Sequence, residues 1–420
     1  MNPYQHNTPS LKKDKLWKRA VILVDMNAFF ASIEQVDFPE LQGRPIGVTN
    51  GWDGTTIITS SYEARAYGVR TGMRVKEAKM LCSDFIQRPS RPKRYIEVSS
   101  CIMRSLVLFT PDIEIFSVDE AFLDVTRCQK LLGSPPYIAE LVRRKVSDVS
   151  GGLLCSVGVS GDKTTAKYAA KLKKPNGLTV IPPWESEKAL ENVPVTKLCG
   201  IAEGIGSFLG QRGVYVCGDM KKLPIGILAK RFGNLGRRIW FMAQGLDPEK
   251  VSTNIPTPKS IGHGKVLPPN TKDINIIRIF LLHMSEKVAG RLRKHSFEAQ
   301  RFFIGFKTNN GWYSAKLYAP FITDDGLNIY HLCLFFLRTN WQGKGVYQVQ
   351  VTALDPRPAK QQLELFLSNK SKRNSLCKAV DKINQRYGEF SVSPARLIHR
   401  SKMPNVIAPA WKPFGHRQSI

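Results

Sequence analysis

The chain has 420 residues, of which 42% are apolar, so it can form packed cores and is neither wholly disordered nor a fibrous repeat. Its 62 Lys and Arg against 34 Asp and Glu give a net charge of +28. This charge favours a polyanionic partner, with nucleic acid first and an acidic membrane surface second; a merely basic soluble protein is the alternative. At roughly 100–200 residues per domain, we expect two to four domains.

The apolar runs and the cysteines exclude further classes. No apolar run approaches the roughly 18–20 residues of a membrane span, and the stretch 20–24 is too short for a signal peptide. The eight cysteines are scattered without a CxxC pair, so zinc knuckles and a disulfide framework are not expected. These features predict a protein of the reducing cytoplasm without a membrane partner.

The first half of the chain alternates strand and helix signals. AVILVD (20–25) predicts a short buried strand that ends in an acid. IEIFSVDEAFLDVT (113–126) predicts two strands that meet at a tight turn, and LLCSVGVSGDK (153–163) predicts another strand. A helix is predicted over 162–174, where the following Pro-Asn-Gly ends it.

The second half of the chain predicts two smaller modules. The Gly-rich segment 200–220 predicts two short helices with a turn, and a proline-containing linker lies at 256–258. Asn309-Asn310-Gly311 is a strong hairpin signal, and the order beyond the linker is β-α-β-β-α-β, a small two-layer domain. The predicted elements are 259–267, 273–294, 301–308, 312–319, 326–338 and 346–354. The remaining C-terminal residues are basic and poorly periodic.

Three acids are the strongest candidates for chemistry. Asp25 ends a buried strand, and Asp119 with Glu120 lies at the turn of the predicted hairpin. If these strands are neighbours, the three carboxylates meet at one sheet edge, where like charges need a cation. Oxygen ligands of this kind suit Mg²⁺, and two such ions support in-line phosphoryl transfer. The alternative is an ordinary solvated Asp-Glu turn, although the flanking residues are unusually apolar.

Basic side chains supply a second signal. Lys163, Lys167, Lys171 and Lys174 have helical spacing, so they are predicted to share one face, and four like charges there favour a bound anion. A triphosphate or a nucleic-acid backbone would supply that anion; a solvated lysine face is the alternative. Tyr62 and Arg65 lie three apart on a predicted helix and could both bind a phosphate, or could simply stack on each other.

Four segments carry a family resemblance. They are VDMNAFFASIEQ (24–35), SSYEARAYGVRTGM (60–73), SVDEAFLDVT (117–126) and SVGVSGDKTTAKYAAKLKKPNG (156–177). Their content and order resemble the Y-family translesion DNA polymerases of bacterial polymerase IV and polymerase V type. Segments near 200 and KSIGHGKVL also resemble that family, so the resemblance covers about residues 20–365.

The resemblance implies a multi-domain α+β fold. It is that of a right-hand polymerase with a ferredoxin-like palm, small fingers, a helical thumb with a helix-hairpin-helix, and a βαββαβ little finger that grips DNA. The expected segments are a flexible leader (1–17), palm (18–30 and 90–181), fingers (31–89), thumb (182–250), little finger (257–360), and a clamp-binding peptide with a basic C-terminal tail (361–420).

The resemblance also implies residue roles. The metal-binding positions are Asp25, Met26 through its backbone carbonyl, Asp119 and Glu120. The nucleotide-binding positions are Tyr62, Arg65, Lys174, Phe29 and Phe30, where Phe30 is the steric gate against a ribose 2′-OH. Without the resemblance, Phe30 would be interpreted as an ordinary core phenylalanine. Thr56 and Ile58 match positions over the nascent base pair, and the expected DNA contacts are Lys163, Lys167, Gly200 and Ala202.

Two positions depart from the family pattern. Asn27 stands where polymerase IV-type members usually have Asp, but it is not expected to be a ligand. Ala202 stands where a second Gly is usual, and this puts in doubt the close approach of backbone amides to a DNA phosphate.

A short peptide near the C-terminus resembles a clamp-binding motif. Gln362-Leu363-Glu364-Leu365-Phe366 is similar to the QLxLF peptide that holds the bacterial sliding clamp, with Gln362, Leu363, Leu365 and Phe366 as the contacts. An amphipathic edge strand is the alternative. The basic residues that follow are a candidate surface for DNA or for a regulatory protein partner.

Together these features predict a template-directed DNA polymerase that adds dNTPs to a primer 3′-OH with two Mg²⁺ ions. Low-fidelity translesion synthesis in the DNA damage response, at the nucleoid in the cytoplasm, is what the resemblance implies. A non-catalytic, clamp-tethered DNA-binding accessory protein is the main alternative. A nucleotidyl cyclase is a second, against which the long basic C-terminal half argues.

Overall fold

A computed structural model describes residues 16–359 and 368–400. The chain divides into two compact units, with the boundary between Ile255 and Pro256, at the start of the predicted linker. Among the helices of the described ranges, none has the length and apolarity needed to span a bilayer.

The first unit is mixed α and β. Its strands are β1 Val21–Met26, β2 Ile46–Thr49, β3 Ile57–Ser60, β4 Ile86–Pro89, β5 Ile113–Ile115, β6 Glu120–Asp124, β7 Cys155–Ser160 and β8 Leu178–Val180. Its α-helices are α1 Phe29–Asp37, α2 Tyr62–Ala66, α3 Val75–Leu81, α4 Pro92–Leu106, α5 Gln129–Leu132, α6 Pro135–Ser150, α7 Lys163–Leu172, α8 Ser186–Leu190, α9 Glu203–Gly210 and α10 Ile225–Met242. Its 3-10 turns are Pro39–Leu41, Val195–Lys197 and Cys217–Lys222.

A central five-stranded sheet has the order β5-β6-β1-β7-β8, and β1 is antiparallel to both of its neighbours. All six residues of β1 are buried because helices cover both faces of the sheet. Ile22 and Val24 belong to the core shared with α4 and α6, whereas Val21 and Leu23 pack with Ala166 of α7. The predicted buried strand at 20–25 is therefore confirmed, displaced by one residue.

The other predicted elements of this unit are also present. β5 and β6 form the antiparallel pair predicted within 113–126, closed by a turn in which the amides of Phe116 and Ser117 donate to the Glu120 carbonyl at 2.9 and 3.1 Å. A three-stranded sheet, β3-β2-β4, carries α2 and α3. The segment 200–220 contains α9 and a 3-10 turn, which confirms two short helices there.

The second unit has the predicted β-α-β-β-α-β order. Its elements are β9 Ser260–Thr271, α11 Ile274–Lys294, β10 Phe297–Thr308, β11 Gly311–Thr323, α12 Gly326–Asn340, β12 Val346–Leu354, β13 Arg357–Pro358, α13 Ser368–Tyr387 and a 3-10 turn, Ala395–His399. The main sheet has the antiparallel order β11-β10-β12-β9, and Thr308 pairs with Gly311 at the predicted hairpin. The apolar face of α11 is buried against the sheet as its spacing predicts.

The C-terminal segment is more ordered than its sequence indicated. Helix α13 was not predicted, because ion pairs rather than an apolar stripe hold it to the second unit. The Arg293 guanidinium donates to both carboxylate oxygens of Asp381 at 2.6 and 2.8 Å, and Arg373 donates to Asp325 at 2.8 Å. Leu397 then inserts completely into the core of this unit. Residues 368–400 therefore belong to the folded second unit, although their sequence is basic and poorly periodic.

Candidate active site

The three acids meet at one end of the β1–β6 pair. Asp25 lies opposite Glu120 in the antiparallel register, and the Met26 amide donates to the Asp119 carbonyl at 2.9 Å. The predicted position of all three acids at one end of two neighbouring strands is therefore confirmed. Adjacent antiparallel positions place the two side chains on the same face of the sheet.

Burial and mutual repulsion perturb these acids. Burial, together with the neighbouring Glu120, raises the pKa of Asp25 to about 7 against the opposing effect of Lys174. Burial also raises the pKa of Asp119, although its Oδ1 accepts a 2.6 Å hydrogen bond from the Ser117 hydroxyl. Such a concentration of buried carboxyl groups is stabilised by a cation, and oxygen-only donors match a hard divalent ion.

Two lysines partly neutralise this negative charge. Lys174 Nζ lies 2.6 Å from Asp25 Oδ1, and Lys167 Nζ lies 2.6 Å from Glu120 Oε2. Within the described residues, no group of three or more Asp, Glu, His or Cys side chains forms a ready-made metal cluster. The acids are thus of the type that binds a divalent ion, and the ammonium groups must yield before the carboxylates can enclose one.

The lysine row differs from the predicted single face. Helix α7 ends at Leu172, so Lys174 lies in the following turn, and Lys171 is exposed. Lys163 and Lys167 are buried, and Lys163 Nζ lies 2.7 Å from both Glu114 and Glu249. The anions that the lysine spacing required are therefore supplied, for three of the four lysines, by carboxylates of the protein itself.

The two phenylalanines have different surroundings. Phe29 is buried in the core, whereas Phe30 is only partly buried and stacks on Tyr95 with ring centroids 4.4 Å apart. The Tyr95 hydroxyl donates to Glu34 at 2.8 Å, so the ring beneath Phe30 is held in place. Sequence reasoning missed Tyr95, since it comes from α4 and shares no local motif with Phe30. Glu34 lies on α1 with Phe30, but nothing local in the sequence indicated that it would bind the Tyr95 hydroxyl.

Asn27 is a second residue that sequence reasoning undervalued. Its Oδ1 accepts a 2.7 Å hydrogen bond from the Asn176 amide, and its Nδ2 donates to the Ser156 hydroxyl at 2.9 Å. Asn27 is buried. It therefore connects the end of β1 to β7 and to the turn that carries Lys174.

Tyr62 and Arg65 are neighbours on α2, whose N-terminus is capped by the Ser61 hydroxyl. The Arg65 guanidinium lies over the Tyr62 ring, 4.8 Å from its centroid, and Arg65 Nε donates to the Ser60 carbonyl at 3.1 Å. Tyr62 and Arg65 therefore stack on each other, as the alternative to phosphate binding predicted. The Tyr62 hydroxyl is buried without a hydrogen-bond partner among the described residues, which also suits a ligand.

Gly200 and Ala202 lie just before α9. Gly200 has φ +91°, a conformation that favours glycine, and a side chain there would meet only open space. Ala202 is the exposed N-cap residue with φ −88°, which any residue adopts, so alanine does not strain this turn.

Comparison with known proteins agrees with this arrangement. A model of the impB/mucB/samB family matches residues 24–171, and the model of its C-terminal domain matches residues 258–365. A DNA polymerase IV of Moorella thermoacetica is 34% identical over 389 residues, covering 91% of this chain and 95% of the relative. A solved Y-family DNA polymerase chimera of Dbh and Dpo4 is 27% identical, with a TM-score of 0.70 over 80% of this chain and 98% of the chimera.

The chain belongs to the Y family of DNA polymerases. This chain is also similar to DNA polymerase IV of Pelotomaculum thermopropionicum, at 32% identity over 89% of this chain and 94% of the relative. The first family match contains Asp25, Asp119 and Glu120. Gln362, Leu363, Leu365 and Phe366 lie outside the residues that the structure describes.

Proposed function

We propose that this Y-family polymerase performs template-directed translesion DNA synthesis at the carboxylate edge of β1 and β6. The primer 3′-OH attacks the α-phosphorus of a dNTP, and pyrophosphate leaves. The observation that carries the assignment is the pairing of Asp25 with Glu120 beside Asp119, within the segment that matches the family model.

Asp25, Asp119, Glu120 and the Met26 carbonyl would hold two Mg²⁺ ions. Bound there, the ions would lower the pKa of the attacking hydroxyl and stabilise the leaving oxygen. The raised pKa values of Asp25 and Asp119 support this role, because both arise mainly from burial, with a further contribution from the neighbouring carboxylate of Glu120.

Lys174, Tyr62 and Arg65 would bind the triphosphate. The Lys174 ammonium, now 2.6 Å from Asp25, would pair with phosphate oxygens if a cation took its place beside that carboxylate. Phe30, held on Tyr95, would exclude a ribose 2′-OH, and Phe29 supports it from the core at a ring-centroid distance of 5.7 Å.

DNA would be held by the predicted thumb and little finger. Trp312, Lys316 and Tyr318 are exposed on the side of β11 that alternates with its core-facing residues, a mixture of basic and aromatic groups suited to nucleic acid. The turn at Gly200 and Ala202 would approach a phosphate through backbone amides. We propose the boundaries given in the sequence analysis for palm, fingers, thumb and little finger. Residues 368–400 are added to the little finger, because they belong to the second unit.

Two further partners are proposed from the sequence alone. We assign the QLELF peptide to a bacterial sliding clamp and retain a regulatory protein as a further partner. The enzyme would act at the nucleoid in the cytoplasm.

Primer extension tests this function. Asp119→Asn keeps the size of the side chain and removes its charge, so extension with Mg²⁺ and dNTPs should fall at least about a thousandfold. Binding to primer-template should persist. Asp148→Asn, at an exposed position of α6, is the matched control and should extend normally. Undiminished extension by the Asp119 variant would refute the assignment, and a wild-type protein that binds DNA without extending primers would support the accessory alternative.

A further inference from the structure

The segment that leaves α10 is tied to the palm by several buried polar contacts. We call residues 247–252 the exit segment. The carboxylate of Asp247, only 1% exposed, accepts hydrogen bonds from Arg238 of α10 at 2.9 Å and from the Thr164 hydroxyl of α7 at 2.7 Å. Arg19 donates to the Asp247 carbonyl at 2.7 Å. The exit segment therefore connects α10 with α7.

Lys163 forms the centre of a second set of contacts. It is the first residue of α7 and is 3% exposed. Its Nζ lies 2.7 Å from Glu114 of β5 and 2.7 Å from Glu249 of the exit segment. Glu114 also accepts a 2.9 Å hydrogen bond from the Ser252 amide. One ammonium group thus joins two carboxylates from distant parts of the chain.

We propose that Lys163 is a positioning residue that holds the exit segment, and with it the end of the predicted thumb, against the palm. The inference rests on the proposed function for its effect on DNA. Lys163 then contributes to DNA binding without touching DNA, in contrast to the direct contact that the family resemblance implies.

Electrostatics explains why this one side chain matters. Since both carboxylates reach the same Nζ, removing the ammonium leaves two like charges close together: Glu114 is mostly buried, whereas Glu249 is 39% exposed and keeps Arg238 as a partner. Repulsion between Glu114 and Glu249 would then favour release of the exit segment. Apparent DNA affinity falls with the fraction of molecules that keep the binding-competent arrangement.

Lys163→Met in the full chain tests the proposal. We expect the Kd for primer-template, measured by fluorescence anisotropy, to rise about tenfold as the competent fraction falls. The slope of log Kd against log salt should stay unchanged, because no phosphate contact is lost. Hydrogen exchange of the DNA-free protein should quicken in 247–252 and in α10 but not in β1. Lys171→Met, at an exposed position of the same helix, should leave that exchange unchanged.

Neutralising both carboxylates should rescue the Lys163→Met variant, because it removes the repulsion between Glu114 and Glu249. Lys163→Met combined with Glu114→Gln and Glu249→Gln should restore both the Kd and the slow exchange to within about threefold of wild type. If Lys163→Met lowers the salt slope by about one and leaves exchange unchanged, Lys163 is a phosphate contact and the proposal is overturned. Glu249→Gln alone, a milder change, should quicken exchange in the same segment. Because exchange is measured without DNA, this outcome is independent of whether the chain polymerises.

Discussion

Replacing Asn27 by leucine is the sharpest test of how the site is assembled. Leucine has a similar size but can neither accept from the Asn176 amide nor donate to the Ser156 hydroxyl, the two hydrogen bonds of 2.7 and 2.9 Å that Asn27 makes. Ser156 is fully buried, so its hydroxyl would lose a partner that water cannot replace. Each lost hydrogen bond with an unsatisfied group costs about 1–3 kcal/mol, so the loss of both should lower the free energy of unfolding by about 2–6 kcal/mol.

The same substitution should affect the nucleotide. The Asn176 turn carries Lys174, so its loosening should weaken triphosphate binding and raise the KM for dNTP about tenfold, the equivalent of one charge-assisted hydrogen bond. Urea unfolding and steady-state primer extension measure the two effects. Asn27→Asp is the matched control, since its carboxylate accepts from Asn176 and also from the Ser156 hydroxyl. The reasoning would be refuted if wild type and Asn27→Leu had equal urea midpoints. It would also be refuted if Asn27→Asp lost as much unfolding free energy as Asn27→Leu.

Three further predictions concern other parts of the chain. Burial raises the pKa of Asp162 to about 6 from an ordinary value of 3.8, so the native state holds the proton more tightly than the unfolded chain does. The free energy of unfolding of wild type, relative to that of Asp162→Asn, should therefore decline as the pH rises from 3.8 to about 6 and level off at higher pH. Urea titrations at several pH values measure this difference. Phe30→Ala should raise ribonucleotide insertion relative to deoxyribonucleotide insertion about tenfold or more in single-nucleotide assays, and an unchanged ratio would exclude the gate. Leu397→Asp should lower the unfolding free energy of the second unit by at least about 2 kcal/mol in thermal or urea melts, because Leu397 is completely buried. Ile398→Asp, at a 71% exposed position, should not lower it. Equal losses of unfolding free energy in the two variants would contradict the packing of residues 368–400.

Local patterns predicted the elements whose formation depends on neighbours in sequence. The unbroken apolar run of β1 indicated a strand buried on both faces, and Asn309-Asn310-Gly311 indicated the β10–β11 hairpin. The spacing of α11 indicated its buried face. The convergence of Asp25, Asp119 and Glu120 followed from assuming that β1 and β6 are neighbours, which they are.

The sequence could not indicate ion pairs between charged residues that lie far apart in the chain. Lys163 appeared as one of a row of lysines because Glu114 and Glu249, its partners, lie 49 and 86 residues away. Helix α13 lacks a strong apolar stripe, and its place is set by pairs such as Arg293 with Asp381, 88 residues apart. Helical periodicity reports apolar burial, so a helix held by ion pairs gives little signal.

The account depends most on the carboxylate edge of β1 and β6 binding divalent ions when substrate is present. A crystal structure of the full chain with primer-template, an incoming non-hydrolysable dNTP and Mn²⁺ would locate the ions by their anomalous scattering. We expect two peaks bounded by Asp25, Asp119 and Glu120, with Lys174 moved from Asp25 to the triphosphate. Peaks elsewhere, or a Lys174 that keeps its 2.6 Å contact with Asp25 beside bound nucleotide, would contradict the proposed chemistry.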